Sequence, residues 1–209
     1  MAVLFETLKG TPCGYLNVND LAKTTNNSDP ALIGQKIEEY HRQAGLVWSY
    51  GGYHEERDTL WANVPYLKER GTFLHLGVDF NVPAGTPVMA TRPGVVVRID
   101  DDHPEEYGWG PRIIVRLKHN PPIYLIYAHL GKIACRLGQS VTVKNIIAHV
   151  GAPPRNGGWF AHLHVQTAAD EAWQFYEPRL KELDGYGKVE DRVVSARQFP
   201  DPLPYLRMW

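Results

Sequence analysis

From Thr72 to Gln166 the chain is a succession of short β-prone runs: "TFLHLGVDF", "TPVMAT", "GVVVRID", "RIIVRLK", "IYLIYAHL", "SVTVK", "IIAHVG" and "AHLHVQ". Between them lie breaks rich in glycine and proline, "NVPAG", "HPEEYGWGP", "HNPP" and "PPRNGG". Short strands punctuated in this way argue for an antiparallel, sheet-dominated core.

The flanks read differently. In "SDPALIGQKIEEYHRQAG", 28–45, Asp29 can cap a helix, Pro30 suits its first position and Gly45 can end it. Ile33, Ile37, Tyr40 and Ala44 fall on one face, with His41 beside them as a packing or surface residue. The stretch 48–66 is aromatic and turn-rich and is expected to wrap the main domain, with His54 in a structural role. After the sheet region, 169–185 returns to helical spacing through Trp173, Tyr176, Leu180 and Leu183, and Pro178 should kink or divide that helix. The Pro-rich end "FPDPLPYLRMW" is expected to pack as an extended strap. The fold class is therefore mainly β, α+β overall, with helices before the sheet and after its last strand. The expected division is an N-terminal helical and irregular extension, 1–70, and a β domain with its C-terminal extension, 71–209.

Composition bounds the function. A chain of 209 residues that is 44% hydrophobic and 22% charged is ordinary globular protein. A net charge of −1 gives no electrostatic reason to expect nucleic acid or an anionic membrane surface, and neither is expected as a partner. Cys13 and Cys135 form no Cys-x-x-Cys and read as ordinary thiols. The first residues lack a basic and then apolar leader, and no stretch approaches the ~18 apolar residues of a membrane span. The expectation is a cytoplasmic protein, with export by another route left open.

Nine histidines are many for this length, and their positions carry the functional argument. In "FAHLHV", His162 and His164 are two apart, so on a strand they face one side, roughly 6.5 to 7 Å apart at the backbone. A half-exposed strand could carry such a pair by accident. One of them could equally bind a metal while the other acts on a metal-bound species. Upstream, "HLGVD" offers His75 and Asp79. A straight strand would hold their Cα atoms about 13 Å apart, and Gly77 between them allows a bend. Two histidines and an aspartate are three protein ligands, which leaves a fourth tetrahedral position open, as in a catalytic zinc site. His129, closing the apolar run "YLIYAHL", is then a candidate acid/base or oxyanion group.

These motifs together resemble the lysostaphin-type zinc metallopeptidases of peptidoglycan, from about His75 to Gln166. "HLGVDFNVPAGTPVMATRPGVVV" is similar to that family's His-x-Gly-x-Asp segment and the turns that follow it. "YAHLGKIACRLGQSV" is similar to its Tyr-x-His-Leu segment, and "AHLHVQ" to its terminal His-x-His strand. The resemblance implies a lysostaphin-like antiparallel sheet domain and one zinc ion held by His75, Asp79 and His164. It also implies that His129 and His162 line the attacking water or the scissile carbonyl. In such a family the metal polarises the peptide carbonyl and lowers the pKa of its water, and the histidine pair handles the proton and the oxyanion. The chain departs from the pattern at "GAPPRNGGWFAHLH", where Trp159 and Phe160 replace small residues and proline. It thus resembles a divergent branch, which puts glycine-bridge cleavage in doubt. His103, His119 and His149 lie outside the motifs.

The leading expectation is a zinc-dependent hydrolase of a peptide, including a peptide or muropeptide derived from peptidoglycan, losing activity as pH drops through about 6 to 7. The alternatives are a non-catalytic metal- or peptide-binding relative and a histidine phosphocarrier. The presence of both non-ligand histidines argues against the first. A phosphocarrier needs no Asp79.

Overall fold

The computed structural model describes residues 3–25, 29–102 and 107–206; His103 and the last residues of the tail, 207–209, lie outside them. The chain begins with β1 (Cys13–Tyr15), α1 (Val18–Thr25), α2 (Pro30–Ala44), β2 (Trp48–Gly51) and α3 (Pro65–Arg70). The sheet region follows as β3 (Leu74–His75), β4 (Val78–Asn81), β5 (Pro87–Met89), β6 (Gly94–Asp101), β7 (Pro111–Leu117), β8 (Ile123–Ala128), β9 (Leu130–Ile133), β10 (Ser140–Val141), β11 (Ile146–Val150) and β12 (Leu163–Ala169). Then come α4 (Asp170–Tyr176), β13 (Tyr186–Gly187) and α5 (Arg192–Gln198).

An eight-stranded sheet runs in the order β1-β2-β4-β12-β8-β7-β6-β10, a second sheet is β5-β11-β9, and β13 pairs with β3. Every described pairing is antiparallel except β1 with β2. Side chains alternate across the large sheet because strand residues point to opposite faces in turn. Ile113 and Val115 of β7, Leu125 and Tyr127 of β8, and Leu163 and Val165 of β12 face a core closed by Val88, Ile147 and Val150 of the small sheet. Ile114, Ile126 and Ala168 face the other way, where Trp173, Leu183 and Phe199 cover them. Asp79 and His164 lie on this second face, opposite each other in the β4–β12 register.

The helix signals are realised locally. The Asp29 side chain accepts from Leu32 N at 2.9 Å, and Gly45 ends α2 in the left-handed region at φ 67°. Ile33 and Ile37 are buried, whereas Ala44, counted on the same stripe, is exposed near the helix end. At Pro178, α4 gives way to a 3-10 turn over Glu177–Glu182, broken at Arg179. The expected wrap over 48–66 begins as something else: Trp48–Gly51 is a strand of the main sheet, paired with β4, and β1 runs beside it. Trp48 joins the core and Tyr50 packs against it, while buried Ser49 lies between them in the alternation. The Pro-rich tail is not simply extended. Leu203–Tyr205 form a 3-10 turn, Thr91 Oγ1 donates to Tyr205 O at 3.1 Å, and Leu206 is buried in the core. Among the described residues no helix is long and apolar enough to cross a membrane.

Candidate metal centre and active site

The break between β3 and β4 brings His75 and Asp79 together. A straight strand would separate them, but the chain turns at Leu76–Gly77, and His75 Nε2 comes to 3.5 Å from Asp79 Oδ1. Gly77 permits this by its small size: a Cβ there would sit 2.7 Å from Val165 O and 2.6 Å from His164 Nε2. On β12, His164 Nδ1 lies 2.9 Å from Asp79 Oδ1 and 3.1 Å from His75 Nε2. All three residues are buried, and one donor atom of each lies within 4.8 Å of the others.

The His75 imidazole has one nitrogen tied to a backbone carbonyl, and that of His164 lies between the Asp79 carboxylate and the Gln166 amide. His75 Nδ1 donates to Gly52 O at 2.8 Å, leaving Nε2 with its lone pair toward the cluster. Gln166 Nε2 donates to Asp184 O at 3.2 Å, so Gln166 Oε1 faces His164 Nε2–H and accepts from it at 3.2 Å. In the tautomer that donates to Gln166, His164 presents the lone pair of Nδ1 to Asp79 and His75. In that tautomer, lone pairs of Asp79, His75 and His164 converge, an arrangement that a cation relieves. Burial lowers the affinity of His75 for a proton, and the Arg57 charge lowers it further. Burial alone would raise the Asp79 carboxyl, but His75, the Arg57 guanidinium and His162 outweigh it and hold the group well below the usual carboxylate range.

His162 and His129 stand beside this triangle. His162 falls one residue before β12 as observed; its Nδ1 donates to Phe160 O at 2.9 Å and its Nε2 is 3.7 Å from Asp79 Oδ1. His129 Nδ1 donates to Asn156 O at 2.9 Å, and its ring centroid is 4.5 Å from that of His162. His129 holds φ 61°, uncommon for a residue with a side chain, in the junction between β8 and β9. Its N–H donates to Trp109 O at 2.9 Å and its carbonyl accepts from Gly151 N at 2.9 Å, so both sides of the peptide fix it there. Burial depresses both histidines; the neighbouring His162 adds to the effect on His129. Both are neutral at pH 7.

All five expected residues line one pocket of about 630 Å³. Its walls are aromatic: Trp61 meets His75 edge-on at 5.9 Å, Trp109 meets His164 at 5.5 Å and Trp159 meets His129 at 6.4 Å. His41, His54, His119 and His149 do not line it. Sequence reasoning missed Arg57, whose Nη1 donates to Asp79 Oδ2 at 2.6 Å, and the Gly52 carbonyl. It also missed Gln166, although its position two residues after His164 on a strand was a usable signal.

Residues 73–174 match the model of Peptidase family M23. The DD-carboxypeptidase/endopeptidase Mpg of Neisseria meningitidis is 32% identical over 94 residues, covering 45% of this chain and 20% of that protein. The peptidoglycan DD-endopeptidase ShyA of Vibrio cholerae is 29% identical over 163 residues, covering 69% of this chain and 36% of that protein. The chain thus spans well under two thirds of these relatives' lengths. Among solved structures, the catalytic domain of lysostaphin from Staphylococcus simulans is 22% identical, covers 64% of this chain and 79% of that one, and superposes with a TM-score of 0.44.

Proposed function

We propose, from the match of residues 73–174 to Peptidase family M23, that the chain is a member of that family and a zinc-dependent hydrolase of a peptide bond in a peptidoglycan-derived substrate. The observation that carries this is the convergence of one ligand atom each from Asp79, His75 and His164, with edges of 2.9, 3.1 and 3.5 Å. Ligand atoms at about 2.0–2.1 Å from a tetrahedral zinc lie about 3.3 Å from one another, so the donor set fits that ion. Three protein ligands leave one position for water or substrate. Zinc bound there supplies Lewis acidity to the scissile carbonyl and to the attacking water.

The chain's own groups do the rest. His162 and His129 are neutral and have Nδ1 engaged, so each offers Nε2 as a proton acceptor. The pair accepts the proton of the attacking water. Once protonated, an imidazole of the pair becomes a donor to the developing oxyanion and then to the leaving amine. A phosphocarrier reading fits less well, because a phosphoryl group on His162 would meet the Asp79 carboxylate, 3.7 Å from Nε2.

The test is zinc analysis of the purified chain, followed by incubation with soluble muropeptides, glycyl peptides and intact sacculi. One zinc per chain and chelator-sensitive release of a new amino terminus are expected. Cleavage of muropeptides but not sacculi would fit work on released fragments in the cytoplasm. Stoichiometric zinc without cleavage of any of the three would favour the non-catalytic binding role, and absence of zinc would remove the proposal.

A further inference from the structure

Two of the three candidate ligands are held by a segment that lies outside residues 73–174. Gly52 O accepts from His75 Nδ1 at 2.8 Å, and Arg57 Nη1 donates to Asp79 Oδ2 at 2.6 Å. Arg57 is 3% exposed; its Nη2 is 3.4 Å from Glu55 Oε2, and Glu55 Oε1 accepts from Tyr15 Oη at 2.6 Å. The backbone laces the segment to β3: Arg57 N donates to Phe73 O at 2.7 Å, His75 N to Glu55 O at 2.9 Å and His54 N to His75 O at 2.8 Å. Space is as tight as the bonding. A Cβ on Gly52, which holds φ +112°, would lie 2.5 Å from Arg57 Nη2 and 2.6 Å from His75 Nδ1.

We propose that Arg57 is a positioning residue of the metal centre: by occupying Asp79 Oδ2 it makes Oδ1 the single oxygen offered to zinc, and so keeps the fourth position for the reaction. The inference rests on the reading of the site as a zinc centre. A guanidinium this close to a dication is repelled by it, so counter-charge alone gives no reason for Arg57 to favour metal binding. Its geometric role does. The planar fork reaches Asp79 with one arm and Glu55 with the other, and Glu55, held by Tyr15, keeps the fork from turning. Charge and geometry therefore predict opposite signs. If Arg57 acts only as a charge, removing it tightens zinc. If it positions the carboxylate, removing it weakens zinc, as loss of an outer hydrogen-bonding partner typically does by 10- to 100-fold.

The experiment compares the full chain with Arg57→Ala and Arg57→Lys, measuring zinc affinity by chelator competition and the absorption of the cobalt-loaded proteins. The expected result is zinc binding weakened about 10- to 100-fold in both variants, with cobalt bands weaker than in the wild type as Asp79 gains a second contact. Unchanged or tighter zinc in Arg57→Ala overturns the proposal, and so does wild-type affinity in Arg57→Lys, which has the charge but not the fork. Because Arg57→Ala leaves Glu55 and Asp79 buried without a cation, Arg57→Lys decides the matter should the alanine variant not fold. Wild-type protein that takes up no zinc removes both this inference and the functional reading; normal uptake with unaffected variants removes this inference alone.

Discussion

His162 and His164, two residues apart, are separated by their hydrogen bonds more than by their positions. Nδ1 of His164 points to the Asp79–His75 cluster, whereas His162 has Nδ1 tied to Phe160 O and turns Nε2 inward beside His129. His129→Ala and His162→Ala should therefore keep zinc and lose turnover by about 10²- to 10⁴-fold, whereas His164→Ala should lose both. Zinc content and kcat of the three variants check this; a His162 variant that loses metal while the His164 variant keeps it reverses the assignment. The acid limb follows from the same environment. A base whose pKa is lowered by burial stays unprotonated further into acid, so kcat should hold down to about pH 6.5 and fall only below it. That is lower than the window expected from unperturbed imidazole, and a half-point at pH 7 or above in the zinc-loaded protein would count against it. The five candidate site residues were legible because each sits in a short recognisable motif. Arg57 was not, because nothing in "HEERDTLW" distinguishes a buried guanidinium on Asp79 from a solvated one.

Between residues and the whole lie the strand ends that aim these side chains. The break at Leu76–Gly77 divides what reads as one apolar run into β3 and β4, and the cluster depends on it. Gly77→Ala should push a methyl group against Val165 O and the His164 ring, destabilising the fold by about 1–3 kcal/mol as overpacking does and weakening zinc binding. Denaturant unfolding and chelator competition measure the two effects; an alanine variant matching the wild type in both would show that the close approach is not required. The β-prone runs from Thr72 to Gln166 were readable because Gly/Pro breaks bound them and alternation marks their faces. The strand Trp48–Gly51 escaped notice because only four residues, two of them aromatic, sit among turn residues. Its pairing with β4 is long-range, and no local pattern announces it. Helix α5 was missed for a related reason: it is short, and among its seven residues only Ser195 is buried.

At the scale of the molecule, segments from both ends close the pocket that β4 and β12 open. The N-terminal side contributes Arg57, Leu60 and Trp61, and the C-terminal side contributes Leu183 to Tyr186, with Leu76 N donating to Gly185 O at 2.9 Å and Tyr186 registered opposite His75. Closure has an electrostatic consequence at Asp184. Burial pushes its carboxyl up to about 6, against the opposing pull of Arg70 and a hydrogen bond with Tyr186. The folded state thus binds this proton more tightly than the unfolded chain, whose aspartates titrate near 3.9. Between about pH 4 and pH 6 the folded form carries the extra proton, so this group's contribution to stability declines as pH rises through that window and stays unfavourable above it. Asparagine cannot titrate and keeps a carbonyl acceptor for Arg70 and Tyr186. Asp184→Asn should accordingly gain stability relative to the wild type from pH 4 to about 6, with a constant advantage at higher pH. Other carboxylates titrate in both proteins and cancel in the difference. Urea unfolding of the two metal-free proteins at pH 4, 5, 6 and 7.5 reads that difference directly. A difference that stays flat, or shrinks, as pH rises would mean that the pocket leaves Asp184 hydrated and that the C-terminal segment does not seal this side of the site.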